Sequence, residues 1–474
     1  MKRTVRILLI LMAAALCYIL AGAVLPFVHQ PKVSEETKER FEQKNFYGEA
    51  AGTERAAILS DNVEALAERI RLISHAEERI ILSTFEFRND ESGKDMMAAF
   101  LAAADRGVEV EILMDGFPAF KNLQLTQDPY FQALSSHENI QIALYNPVNL
   151  LQPWKLMGRL HDKYLIADST AYILGGRNTY DYFLGDYGDY KNYDWDVLVN
   201  SEEPGQGESM NALLAYFTEV WELPLSRIWK DDPGSRSHGR ILRAREALEE
   251  RYASMQKEHP DWFADCDYEK NTKEVNHIEL LSNPTHCQAK EPVVYYEMTE
   301  LMKQAEGEVY FHTPYIICND WMLQRLAEVC GNVEDVVMMT NSVANNGNPF
   351  GAMDYGKNKG KILETGVSIL EYDGGISYHG KCFVMDDRLS SIGSFNWDMR
   401  SAYLDTELML VIDSEQLNAD MRMKMAEYEK MALTVVDKDT SLVPEGMTAR
   451  QSGPMKRLMT GILSVIAGWA RFLM

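Results

Sequence analysis

The sequence predicts a mixed α/β protein built from two similar lobes that face each other across one cleft. Three observations carry that prediction. Apolar strand-like runs alternate with helical periodicity through most of the chain, the pattern of a largely parallel sheet covered by helices. The pattern stops near residue 232 and restarts near residue 276. One motif occurs in both halves at a constant offset of 218 residues, which relates His161 to His379, Lys163 to Lys381, Asp168 to Asp386, Gly175 to Gly393 and Asn178 to Asn396. A duplicated chain packs as a pseudo-twofold pair, and such a pair brings equivalent strand ends together.

The elements follow in order. Lys2, Arg3 and Arg6 precede an apolar run from Ile7 to Val28, long enough to span a bilayer. An uncleaved anchor over residues 1–28 is the expectation. The rival reading is a signal peptide cleaved after the small residues at 21–23. With positive charge on the N-terminal side, the body is expected outside the cytoplasm. A polar stalk over 29–55 comes next, with the charged segment PKVSEETKERFEQKN.

The first lobe is expected over 56–231. DNVEALAERIRLISHAEE reads as a helix and RIILSTFEF as a strand. GKDMMAAFLAAADRG is a helix closed by Gly107, while VEVEILMDG and IQIALYN are strands. Residues 232–275 form a connector, with one solvated helix between Pro233-Gly234 and Pro260. The second lobe, 276–440, repeats the order: helix PVVYYEMTELMKQAEG, strand EVYFHTPYII, helix WMLQRLAEVCG, and strands VEDVVMMTN and VSILEYD. The tail, 441–474, ends in an apolar segment with Lys456, Arg457, Trp469 and Arg471. That pattern suits a helix lying in a membrane interface; the alternative is a helix docked on the core.

Composition narrows the function. A formal net charge of -24 argues against a nucleic-acid partner, which requires a basic face. Six cysteines show no zinc-like spacing. Cys266 with Cys287, or Cys318 with Cys330, are the possible disulfides of an extracytoplasmic body; separate core residues are the simpler reading.

The chemistry lies in the repeated motif. LHDKYLIADSTAYILGGRN places His161 and Lys163 two residues apart at the start of an apolar strand, so both face one way. YHGKCFVMDDRLSSIGSFN does the same with His379 and Lys381. Buried lysines without a partner are costly. Two of them beside two histidines make sense around an anion, and a phosphate accepts charge-assisted bonds from Lys163, Lys381, Asn178 and Asn396. One neutral imidazole can attack phosphorus, and the other can protonate the leaving alkoxide. The two ammonium groups supply positive charge, so no metal and no cofactor is invoked. Each histidine needs a carboxylate on its other ring nitrogen. Asp196 in YDWDVLV and Glu407 in LDTELMLVI are the candidates. The Tyr- and Asp-rich stretch between Asn178 and Asp196 reads either as a loop covering the mouth or as an ordinary surface loop.

The doubled HDKYLIAD…GGRN and HGKCFVMD…GSFN resemble the signature of the phospholipase D superfamily. The upstream LISHAEERIILSTFEFRNDESGKDMMAAFLAAADRGVEVEILMDG and the later VYFHTPYI are similar to bacterial cardiolipin synthases, and the resemblance spans roughly residues 56 to 440. It implies two phospholipase D-like α/β/α lobes with one active site between them and a phosphohistidine intermediate. It also implies His161 as nucleophile and His379 as acid and base, a choice the symmetric sequence leaves open. Lys163, Lys381, Asn178 and Asn396 carry over as phosphate binders. Asp168 and Asp386 belong to the catalytic motif and are expected to fix local structure. The function so implied is a phosphatidyltransferase of the bacterial cell membrane acting on phospholipids, with phosphatidylglycerol as the expected substrate. The alternatives are a phospholipase D or other phosphodiesterase that uses water, and a non-catalytic membrane scaffold.

Overall fold

The computed structural model describes residues 2–122, 128–201, 203–229, 239–466 and 468–474. The Pro233-Gly234 boundary expected from the sequence lies outside them.

The duplication is visible in the sheets. The first sheet has nine strands in the order Lys273–Glu274, Glu54–Leu59, Asp196–Ser201, Ala171–Gly175, Tyr164–Ala167, Arg79–Thr84, Glu109–Asp115, Ile140–Tyr145, Ser226–Trp229. The second also has nine: His277–Ser282, Leu408–Asp413, Leu389–Gly393, Cys382–Met385, Glu308–His312, Asp335–Asn341, Ser368–Tyr372, Ala432–Val435, Ser441–Leu442. From the second position of the first list and the first of the second, the two run in step. In each, three parallel strands continue into the antiparallel hairpin of the motif. The motif strands are buried along their whole length, which is why they read as unbroken apolar runs.

Helices cover both faces of each sheet. In the first lobe Asn62–His75 and Glu91–Asp105 bury Leu66, Ile70, Ile73, Met96, Met97 and Phe100 against the outer face. Asp61 and Asp90 cap these helices by accepting backbone N–H bonds. Between the sheets a common core joins Ile81, Tyr164 and Val197 of one lobe to Tyr378, Val384 and Leu410 of the other. The helices Glu208–Glu222 and Glu415–Glu429 add Leu213, Phe217, Met421 and Met425 to it. The lobes therefore share apolar core as well as a cleft.

The connector helix forms over Gly239–Glu258 and is not fully solvated. It buries Ile241, Ala244, Leu248 and Met255 and packs on Glu91–Asp105 and Pro129–Ser135. All six cysteines are free thiols, so neither disulfide pairing is present.

Two terminal helices present apolar surface. Lys2–Val24 exposes Leu8, Leu9, Ile10, Leu11 and Met12 and is long and apolar enough to cross a membrane. The segment after it docks on the second lobe through Phe27 and Phe41. At the other end Pro454–Ile466 exposes Met455, Leu458, Met459 and Ile462. The last residues return to the body, where Phe472, Leu473 and Met474 pack on the second core and Arg471 pairs with Asp354.

Candidate active site

The two motif hairpins end side by side, and each lobe completes the other. Ser377–Tyr378 pairs in parallel with Asn192–Tyr193, and the His379 N–H donates to the Tyr193 carbonyl (2.6 Å). On the opposite side the His161 N–H donates to Thr406 Oγ1 (3.0 Å), and the Thr406 N–H to the Arg159 carbonyl (2.9 Å). Each histidine N–H is thus held by the other lobe, that of His379 by a backbone carbonyl and that of His161 by a side-chain hydroxyl.

The carboxylates cross the interface in the same way. His161 Nδ1 lies 2.8 Å from Glu407 Oε1, and His379 Nδ1 lies 2.6 Å from Asp194 Oδ2. The sequence assigned Glu407 to this role, and the geometry places it on the histidine of the other half. Asp196, the second candidate, touches neither histidine. It is fully buried between Arg69 (2.8 Å) and Arg177 (3.2 Å). Asp194, two residues earlier, stands in the expected place. The reason is strand register. Gly175 pairs with Asp196 and Gly393 pairs with Met409, so the counterpart of Glu407 is Asp194. Matching the halves on the motif glycines, rather than on the carboxylate nearest an apolar strand, gives the correct residue.

Glycines make room for this packing. A Cβ on Gly176 would lie 2.2 Å from Asp194 Oδ1. The second half has Ser394 there, and its hydroxyl donates to Glu407, as does Ser401 Oγ (2.6 Å). At Gly380 a Cβ would lie 2.2 Å from the Trp195 ring. The first half carries Asp162 at that position, buried and bonded to Tyr216 (2.7 Å).

Lys163 and Lys381 are 1% exposed beneath the histidines, and each ammonium donates to the carbonyl of its own histidine. Burial pulls Lys163 down to about 7 against the opposing pull of Glu407. Burial also lowers Lys381. His161 is held well below its ordinary value by burial and by Lys163, and His379 falls to about 4 through burial and Lys381. Both imidazoles are therefore neutral at neutral pH. The carboxylates differ. Burial raises Glu407 to about 7. Burial opposes ionisation of Asp194 too, but Lys381 and His379 overcome it and hold that carboxyl at about 2. Among the described residues no His, Cys, Asp and Glu side chains converge as a metal-holding group, and the positive charge beside the histidines comes from the two lysines.

Asp168 and Asp386 stand at the hairpin turns, away from the cleft, with φ of 53° and 49°. Each carboxylate accepts three consecutive backbone N–H groups, of residues 77–79 and 306–308. They lock the turn to the start of the neighbouring strand, the local role the sequence suggested.

Asn178 and Asn396 line different arms of the cleft. One arm, about 380 Å³, is polar, with Glu86, Asn178, Asn192, Asn346 and Ser377 beside both histidines. Asn178 Oδ1 accepts from the Glu86 N–H (3.2 Å). The other arm, about 540 Å³, is largely apolar and reaches His161 past Asn396, whose Oδ1 is buried without a partner. Aromatic rings flank both histidines edge-on: Phe85 at 5.6 Å from His161 and Phe183 at 5.1 Å from His379. The Tyr-rich loop before Asp196 supplies Phe183, Tyr182 and Tyr190 to the polar arm and carries Asp194 across the interface. Sequence reasoning missed Asp194, Phe85, Phe183 and the apolar arm.

A duplicated α/β fold that closes two H-x-K histidines on one cleft defines an enzyme of the phospholipase D superfamily. The family described as "Cardiolipin synthase, PLD-like domain" matches residues 69–221 and 298–428, more than half the chain, and the chain belongs to it. Cardiolipin synthase C of Escherichia coli K12 is 26% identical over 422 residues, covering 78% of this chain and 84% of that protein. An uncharacterized protein of Helicobacter pylori J99 is 24% identical over 80% of each chain. The phosphatidylserine synthase of Haemophilus influenzae Rd KW20 shares the fold, with a TM-score of 0.64 at 15% identity over 93% of this chain and 99% of that one.

Proposed function

We propose that the protein is a membrane-anchored phosphatidyltransferase that moves a phosphatidyl group between phospholipids, with phosphatidylglycerol as donor and acceptor. The observation that carries this reading is the crossed pair of histidine–carboxylate contacts over two buried lysines. Membership in a cardiolipin synthase family and the likeness to Escherichia coli cardiolipin synthase C support the substrate. The apolar helix Lys2–Val24 would be the anchor in the bacterial cell membrane, with the body outside the cytoplasm.

The donor phosphate sits between the imidazoles, its non-bridging oxygens facing Lys163, Lys381 and the two asparagine amides. Nδ1–H of each histidine donates to its carboxylate, which leaves Nε2 as the reacting atom. Nε2 of His161 attacks phosphorus as the bond to the headgroup oxygen breaks. His379 gives its Nε2 proton to the departing glycerol alkoxide. It needs a proton to do so, and a bound phosphodiester anion raises its pKa above the value that burial and Lys381 impose. In the second step His379 takes a proton from the hydroxyl of a second phosphatidylglycerol. The new P–O bond forms, the P–N bond breaks, and cardiolipin leaves. Water in place of the second lipid gives phosphatidic acid.

Purified full-length protein in mixed micelles with phosphatidylglycerol tests this. Cardiolipin and glycerol are expected, with the phosphatidyl mass on the peptide containing His161 after an acid-free quench. Phosphatidic acid as sole product would convert the reading to a hydrolase. No turnover, or a phosphatidyl adduct on His379 alone, would overturn the scheme.

A further inference from the structure

Beyond His161 and Asn396 the apolar arm of the cleft has no role in the chemistry above, yet it is the larger of the two cavities that meet at His161. Its outer walls are Phe117, Phe120, Val148, Leu150, Leu156 and Met157. Its rim is unusually apolar for so acidic a protein. Phe117, Phe120 and Leu150 are about half exposed, and Leu151 and Trp154 beside them are 79% and 42% exposed. Apolar side chains gathered at an open mouth mark a contact with an apolar partner.

A second observation says what that partner is. The N-terminal helix is fastened to this rim. Tyr18 Oη donates to the Leu151 carbonyl (2.9 Å), and Gly22 lies so close to Pro153 that a Cβ would be 2.4 Å from its Cγ. The one described helix able to cross a bilayer therefore sits against the mouth of the apolar arm. A bilayer spanned by that helix would be level with Leu150, Leu151 and Trp154.

We propose that this arm is the site for the diacylglyceryl part of the phospholipid donor, which enters sideways from the leaflet along the N-terminal helix. The ester-linked ends of the chains lie among Phe117, Phe120, Leu156 and Met157, and the remainder stays in the bilayer. The phosphate then reaches His161 at the inner end, and the headgroup falls into the polar arm beside His379. The two arms thus divide the donor into an apolar part that stays on the enzyme and a polar part that leaves. This rests on the phosphatidyltransfer reading and adds a chain-binding site to it.

Two measurements test it in nanodiscs of the full-length protein. Phosphatidylglycerol carrying a diazirine in its acyl chain should label peptides spanning 117–121 and 148–157; labelling confined to the N-terminal and tail helices overturns the proposal. In the second, kcat/KM is compared for phosphatidylglycerol and for glycerophosphoglycerol, which has the same phosphodiester and headgroup and no acyl chains. The ratio is expected to fall at least tenfold in Phe120→Asp/Leu150→Asp, both exposed enough to leave folding intact. An unchanged ratio with turnover retained overturns the chain site and leaves phosphatidyl transfer standing. No turnover of phosphatidylglycerol by the parent overturns phosphatidyl transfer, and the labelling pattern still decides the chain site.

Discussion

Asp194 and Asp196 are two residues apart, both fully buried, and do different work. Asp194 holds His379, so Asp194→Asn should lower kcat roughly 10²–10⁴-fold while thermal stability changes little. Asp196 compensates Arg69 and Arg177, and Asp196→Asn leaves both guanidinium groups buried without their counter-charge. The expected loss is about 3–5 kcal/mol of stability, read by denaturant unfolding. Equal effects of the two variants on kcat would contradict the assignment. Sequence pattern alone chose Asp196 because it begins the apolar strand, and only the register against Gly175 exposes Asp194. The motif residues were legible because they repeat; of their carboxylate partners, which come from the other half of the chain, only Glu407 was read correctly. Titration separates the two histidines as well. Glu407 is raised to about 7 and Lys163 lowered to about 7, both by burial. Below neutrality Glu407 takes up a proton and loses its charge against His161; above it Lys163 loses the charge proposed to bind phosphate. The kcat/KM profile, which reports the free enzyme, should therefore fall steeply above pH 7, where Lys163 loses its charge while His379, at about 4, must still gain a proton. The basic limb of kcat should lie higher, because the bound anion keeps Lys163 protonated. A flat profile from pH 5 to 9 would contradict this.

At the scale of elements, the motif hairpins are held by their turns as much as by their strands. Asp168 adopts a left-handed conformation that costs an ordinary L-residue roughly 1–2 kcal/mol, and its carboxylate satisfies three N–H groups. Asp168→Ala keeps the strain and removes the acceptors, so a loss of about 3 kcal/mol or more is expected. Asp168→Asn retains one acceptor oxygen and tolerates the conformation, and should lose less than half as much. Asp386 should repeat the pattern, and a milder effect for Ala than for Asn at either site would refute it. The strands and helices around these turns follow the periodicities in the sequence closely, because most are buried on one face or both. The connector was harder to read. Gly239–Glu258 is charged on most of its surface, yet four spaced apolar residues suffice to lay it on the first lobe.

At the scale of the whole molecule, the proposed function brings an acidic protein to an anionic bilayer. The net charge of -24 opposes contact over a Debye length of about 8 Å at physiological salt. The tail carries Lys456, Arg457 and Arg471, but the structure commits those charges elsewhere. Lys456 donates to the carbonyls of Ala344 and Asn346, Arg457 to that of Ser452, and Arg471 pairs with Asp354. What the tail shows outward is apolar: Met455, Leu458, Met459, Ile462 and Trp469. Its ends also reach the cleft, since Asn346 lines the polar arm and the Met474 carbonyl accepts from the N–H of Arg400 in the apolar arm. A tail that bound through lysine and arginine would release from anionic vesicles as salt rises. A tail that binds through its apolar face, beneath an acidic body, should do the reverse, because salt screens the repulsion and leaves apolar burial intact. The measurement uses protein lacking residues 2–24, so that the spanning helix does not mask the effect, with vesicles of phosphatidylglycerol in a neutral lipid. Flotation should recover more bound protein at 0.5 M than at 0.05 M salt. Leu458→Ser/Ile462→Ser/Trp469→Ser should reduce binding at least tenfold at both concentrations. Binding that falls with salt and survives these substitutions would mean that free basic residues, and not the apolar face of the tail, meet the lipid.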